Sequence, residues 1–187
     1  MTAEERDHYD NLIYLCPSCH TKIDKQEDDY PAEDLFQLKE EHESWVSSRL
    51  DEVMSEVTFA ELEIAAKSIA SGAHADGEDF SVIPPDEKIR KNGLSKKSRK
   101  YISMGLSESN EVERFISSMT QVDSEYPERL KSGFRAEYDK LKKETSGDEL
   151  FMGMLEFALK GASGFKQQAA SLAILSHLFH LCDIFEK

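Results

Sequence analysis

Two thiols, an imidazole and a carboxylate stand close together in the segment Asn11-Leu-Ile-Tyr-Leu-Cys16-Pro-Ser-Cys19-His20-Thr-Lys-Ile-Asp24. Cys16 and Cys19 have the Cys-x-x-Cys spacing that turns both sulfurs toward one Zn2+, whose structural sites are tetrahedral and favour thiolate and imidazole ligands. One pair fills half of such a site. The other half falls to a histidine such as His8 or His42, or the thiols stay without metal. His20 and Asp24 are four residues apart, which on a helix puts them on one face. A nitrogen and an oxygen donor so placed suit a divalent cation, Mg2+ or a first-row metal. A thioredoxin-like redox role is disfavoured, because the flanking pattern is not a βαβ unit.

The elements that must position these groups are short. Leu12 to Leu15 is apolar and reads as a strand entering the cysteine knuckle, and the polar run from Pro17 reads as a helix. Lys25 to Tyr30 is a charged loop. Pro31 with Ala-Glu-Asp then opens a longer helix, since proline is tolerated in a first turn and acids suit its positive end. Its apolar residues Leu35, Leu38, Trp45, Val46, Leu50, Val53 and Val57 recur at steps of three, four or seven, the pattern of one buried stripe. His42 lies on the polar side and reads as solvated.

Asn11, a strand, a Cys pair and then a helix bearing His20 and Asp24 resemble the C-terminal half of the ββα-metal motif of HNH endonucleases. The charged loop and helix through His42 resemble the segment that follows that motif in bacterial members. The resemblance implies that His20 binds a divalent metal with Asp24 as a second ligand, and that Asn11 orients the site. It also implies a zinc knuckle at Cys16 and Cys19, of which only the second of the family's two Cys pairs is present. The family's first His, the base that activates water, has no counterpart here, and His8 does not match its position. The chain alone is therefore expected to be nearly inert as a nuclease, because loss of one catalytic element costs orders of magnitude.

Composition limits the partners. The 187 residues permit one medium domain or two small ones, and a hydrophobic content of 39% permits a real core. A net charge of −14 opposes non-specific adhesion to DNA or anionic lipid, so any DNA contact must be local or supplied by a partner. No run approaches the roughly 20 apolar residues of a membrane span, and the acidic start does not read as a signal peptide. Three cysteines are no disulfide framework, which points to a reducing cytoplasm.

Beyond residue 57 the pattern is helical. Thr58 is expected to cap a helix carrying Leu62, Ile64, Ala65 and Ile69. Ser71 to Asp79 reads as a hinge loop, and Phe80 to Pro85 as extended. A basic cluster follows, Lys88, Arg90, Lys91, Lys96, Lys97, Arg99 and Lys100, read as a solvated face in preference to a phosphate-binding one. Ser107 is expected to cap the next helix, Pro127 to start another, and Ser146-Gly147 and Gly161 to Gly164 to break the chain. The final stretch, Phe165 to Phe185, is apolar on more than one face, so it is central in a bundle or buried in a subunit interface. His177, His180 and Cys182 within it read as packing, not as a metal site.

That last stretch, through Leu178-Phe-His-Leu-Cys-Asp-Ile-Phe-Glu-Lys187, is similar to the C-terminal domain of effectors in bacterial ABC-three-component anti-phage systems. The resemblance implies a helical assembly domain from about Phe59 to Lys187 and an ABC-type ATPase as partner. The sequence is thus read as mainly α: a partial HNH-like ββα-metal module with its following helix (1–57), a helix, hinge and basic connector (58–100), and a helical assembly domain (101–187). The expected function is a metal-dependent DNA endonuclease subunit or fragment of a defence system. The alternative is an inactive HNH remnant acting as a scaffold. A homo-oligomer is expected in either case.

Overall fold

The computed structural model describes residues 2, 6–70, 84–181 and 184–186. The expected hinge, the extended run up to residue 83 and Cys182 lie outside the described residues. Two compact units divide the chain, Met1–Ser48 and Arg49–Lys187.

The first unit holds a 3-10 turn (Tyr9–Asn11), helix α1 (Pro17–Lys25), a second 3-10 turn (Glu27–Asp29) and most of helix α2 (Ala32–Met54), whose residues from Arg49 belong to the second unit. α1 forms as expected, with proline in its first turn. Leu12 to Leu15 do not form the expected strand, and the ββα arrangement is not present among the described residues. A strand must exchange backbone hydrogen bonds with a neighbour, and no strand occurs among those residues to serve as one. The stripe on α2 is also divided. Of the expected residues, Leu50 and, just past the helix, Val57 are buried, whereas Leu38 and Trp45 are about half exposed. With about 3.6 residues per turn, Leu38 and Trp45 point well away from Leu50, and the first unit is too small to cover that side.

The second unit is a bundle of α3 (Phe59–Ala70), α4 (Pro85–Lys91), α5 (Lys96–Leu106), α6 (Ser109–Val122), α7 (Tyr126–Leu141), α8 (Gly147–Ala158) and α9 (Phe165–Leu181). α9 is its axis. Every residue from Ala169 to Phe179 is buried, and α3, α5, α6 and α8 all pack on it. The sequence left open a bundle centre or a subunit interface; the bundle takes this helix. The expected end at Phe185 is not reached, because Ile184 and Phe185 are not helical.

Caps and breaks decide the turns between helices. The Glu61 carboxylate reaches back to the Thr58 hydroxyl and, at 3.0 Å, to its N–H, so Thr58 starts α3 as expected. Ser107 acts differently from the expectation. It closes α5, its hydroxyl donating to the Met104 carbonyl at 2.7 Å, and Glu108 precedes α6. Ile64, expected in the buried stripe, is half exposed, and Ala66 and Ala70 are buried beside Leu62, Ala65 and Ile69.

Lys88 departs from the solvated basic face. It is buried, and its Nζ donates to the Phe179 carbonyl in the last turn of α9 at 2.7 Å while lying 4.9 Å from the centre of the Phe179 ring. A cation there satisfies a helix-end carbonyl and the negative end of the helix dipole. One turn on, the Asn92 side chain donates to the Glu186 carbonyl at 2.9 Å and accepts from the Glu186 N–H at 3.0 Å. The C-terminal segment is thereby fixed, with Phe185 buried among the rings of Tyr138, Phe151 and Phe179. Phe185 has φ 70°, a left-handed backbone that costs on the order of 1–3 kcal/mol for a bulky residue and persists where the surroundings enforce it.

α5 and α9 approach closely at Gly105. A β-carbon there would lie 2.3 Å from Ser176 Oγ and 2.6 Å from the Leu172 carbonyl oxygen. Gly105→Ala is expected to destabilise the protein by about 1–3 kcal/mol in urea unfolding, whereas Gly164→Ala, with open space around it, changes stability by less than about 0.5 kcal/mol.

His177 is buried in the same helix, its Nδ1 2.7 Å from Ser109 Oγ. Burial, aided by the neighbouring His180, pushes its pKa down to about 4. Between about pH 6.5 and about pH 4 the unfolded chain takes up a proton that the folded protein refuses, so stability falls as pH drops through that window and is unaffected above it. The expected loss is on the order of 2–3 kcal/mol. Urea midpoints of the wild type and His177→Gln against pH test this: the difference between the two curves should narrow on acidification.

Candidate metal centre

α1 carries the chemistry. Cys16 is its N-cap, in extended conformation (φ −68°, ψ 156°), and the Cys16 Sγ accepts the Cys19 N–H at 3.5 Å. Thr21 donates its hydroxyl to the Pro17 carbonyl at 2.9 Å, tying the first turn. Both cysteines are free and exposed. Hydrogen bonds from the Cys19 backbone and side chain hold the Cys16 thiol below its ordinary pKa. The same contact, with the Cys16 charge, raises that of Cys19.

One turn further, His20 Nδ1 lies 2.8 Å from Asp24 Oδ2 with both side chains about two-thirds exposed. The imidazole and the carboxylate therefore share one solvent-facing side of α1, with the ring's Nε2 outside that contact. Asn11 is elsewhere engaged. Its side-chain amide donates to the Arg6 carbonyl at 3.2 Å, and it lines a cleft of about 130 Å3 with Leu12, Ile13, Leu35 and Phe36, a lining that excludes His20 and Asp24. His8 pairs with Asp10 at 3.4 Å, and His42 stacks on Trp45 with ring centres 5.8 Å apart.

Chemistry of the donors decides what these groups fit. Among the described residues no three His, Cys, Asp or Glu side chains converge on one point. Each pair thus offers two ligands. Cys16 and Cys19 are the soft donors zinc prefers, and His20 with Asp24 suits a harder divalent ion whose remaining positions go to water or phosphate oxygen. Neither pair closes a coordination shell by itself.

The second unit holds contacts that sequence reasoning did not pick out, although it read His177 as packing, and His177 is buried. Ser109 and His177 meet across α6 and α9, and Asp148 accepts from the Ser95 N–H at 2.8 Å and the Ser98 hydroxyl at 2.5 Å. Burial raises the Asp148 pKa, and these bonds outweigh it, leaving the carboxyl lowered. The apolar surroundings of His177 were the one available signal that it is buried. Nothing local marks Ser109, Asp148 or Lys88, because their partners are remote in sequence.

Residues 60–186, well over half of the chain, match C-terminal domain 10 of the ABC-three component (ABC-3C) systems. The chain belongs to this family. No curated protein and no solved structure matched it. The ABC-3C match associates the chain with an anti-phage defence system and coincides with the helical bundle from α3 onward. It begins at Ala60, so Cys16, Cys19, His20 and Asp24 all lie outside it. Among the described residues of this ABC-3C domain, as of the first unit, no helix is long and apolar enough to cross a membrane.

The inequality between the two thiols has a direct readout. Thiolate is the reactive form, so iodoacetamide should modify Cys16 faster than Cys19 in native protein near neutral pH. The preference should shrink as pH rises toward the range where both ionise, as peptide mass spectrometry of timed samples can follow.

Proposed function

We propose that this chain is an assembly component of an ABC-three-component anti-phage system, its helical C-terminal domain joining it to an ABC-type ATPase partner and the remaining component. The observation that carries this reading is the family match over residues 60–186. The form of the domain agrees with it. A bundle closed around α9, with the C-terminal segment fixed by Asn92, makes a rigid body suited to docking.

A second reading, a nuclease subunit, is favoured by the exposed His20–Asp24 pair. In this reading His20 and Asp24 hold a divalent cation that stabilises charge developing on a scissile phosphate, DNA being delivered by a partner. The base that activates water, and the rest of the coordination shell, must then come from outside the described residues.

Co-expression of the full chain with the ATPase and middle component of an ABC-three-component system from the same source tests the first reading. A stable complex by size exclusion is the expected result, and three proteins eluting separately would overturn it. Plasmid nicking by that complex with Mg2+ or Mn2+ tests the second. Nicking abolished by His20→Ala supports a nuclease, and nicking unaffected by it, or absent throughout, supports the scaffold.

A further inference from the structure

We propose that Cys16 and Cys19 from two copies of this chain enclose one Zn2+ in a site of four thiolates, so that zinc pairs the protein through its N-terminal unit. The inference concerns α1 and its approach and does not rest on the function proposed for the helical domain.

The donors are ready but incomplete. Both thiols are exposed and free, one at the N-cap and one in the first turn of the same helix, and the N–H···S bond from Cys19 to Cys16 supplies the kind of second contact that steadies a metal-bound thiolate. The positive end of α1, with no acidic residue in its first turn, favours the ionised sulfurs that zinc requires. Two soft ligands are half of a tetrahedral shell. No third His, Cys, Asp or Glu joins them among the described residues, and the adjacent His20 is held by Asp24.

An identical half is the economical completion. A metal on a two-fold axis takes two sulfurs from each copy, and an isologous contact repeats the same patch on both sides. Surface around the thiols agrees with a second copy. Tyr14 and Leu12, two and four residues before Cys16, are 103% and 54% exposed, an aromatic and an aliphatic side chain left open to solvent near the thiols. Such groups gain by burial in a contact. The overall charge of −14 opposes pairing of copies, but α1 itself carries Lys22 and Lys25 against Asp24 alone. The cation offsets part of the charge of four thiolates.

The experiment titrates reduced, metal-free, full-length protein with ZnCl2 and follows mass by sedimentation velocity and native mass spectrometry. The expected result is a dimer carrying one zinc per two chains, dissociated by EDTA. Co2+ in place of zinc should give the absorption bands of a tetrahedral thiolate site. Cys16→Ser and Cys19→Ser should each lose the zinc-dependent dimer, while His20→Ala and Cys182→Ser retain it. One zinc per monomer, no zinc uptake, or a dimer that persists in both Cys16→Ser and Cys19→Ser would each overturn the proposal. Loss of the dimer in His20→Ala would overturn it too, by assigning the metal to a different ligand set.

Discussion

Burial of α9 on all sides is the constraint from which the second unit follows. Leu172, Ile174, Leu175, Leu178 and Phe179 point in different directions around the helix, and all are inaccessible to solvent or nearly so. Burying each such side chain is worth about 1.5–3 kcal/mol, so no single neighbour satisfies them. α3, α5, α6 and α8 must surround α9 together. The close approach at Gly105 and the run of small residues Ala169, Ala170, Ser171 and Ala173 let those neighbours come near without leaving gaps.

A helix enclosed in this way has a problem at its end, where the last carbonyls have no partner in the helix. The structure answers with a charged residue. Lys88 brings its ammonium to the Phe179 carbonyl and ring, and Asn92, which closes the same short helix, binds the backbone of Glu186. The α4 segment is thus more than a connector: it ties the end of the chain back to the bundle. Phe185 accepts a left-handed backbone because three aromatic rings receive its side chain.

The first unit is organised by different physics. It has few buried residues, and its geometry comes from local hydrogen bonds: Cys19 to Cys16, Thr21 to Pro17, His20 beside Asp24. Groups of that kind are exposed and incompletely coordinated, so they suit a ligand or a partner more than a core. The contrast matches the extent of the ABC-3C family, which covers the bundle and excludes the thiols. The helical bundle and the exposed donor groups of α1 are therefore separate parts of one chain.

The sequence by itself determined what depends on near neighbours. Periodicity and breaker residues placed most of the helices and the breaks at Ser146-Gly147 and Gly161 to Gly164, the uniform apolarity of the last helix marked it for burial, and the i, i+4 spacing put His20 beside Asp24. Tertiary structure alone decided the rest. Leu12 to Leu15 had strand composition but no strand to pair with among the described residues, Ser107 chose the helix behind it over the one ahead, and Trp45 stayed exposed on a stripe that looked buried. Lys88 read as one cation in a basic cluster until the carbonyl of Phe179, remote in the chain, gave it a partner. Local spacing fixes which side chains share a face; what that face meets is set by contacts between segments far apart in the chain.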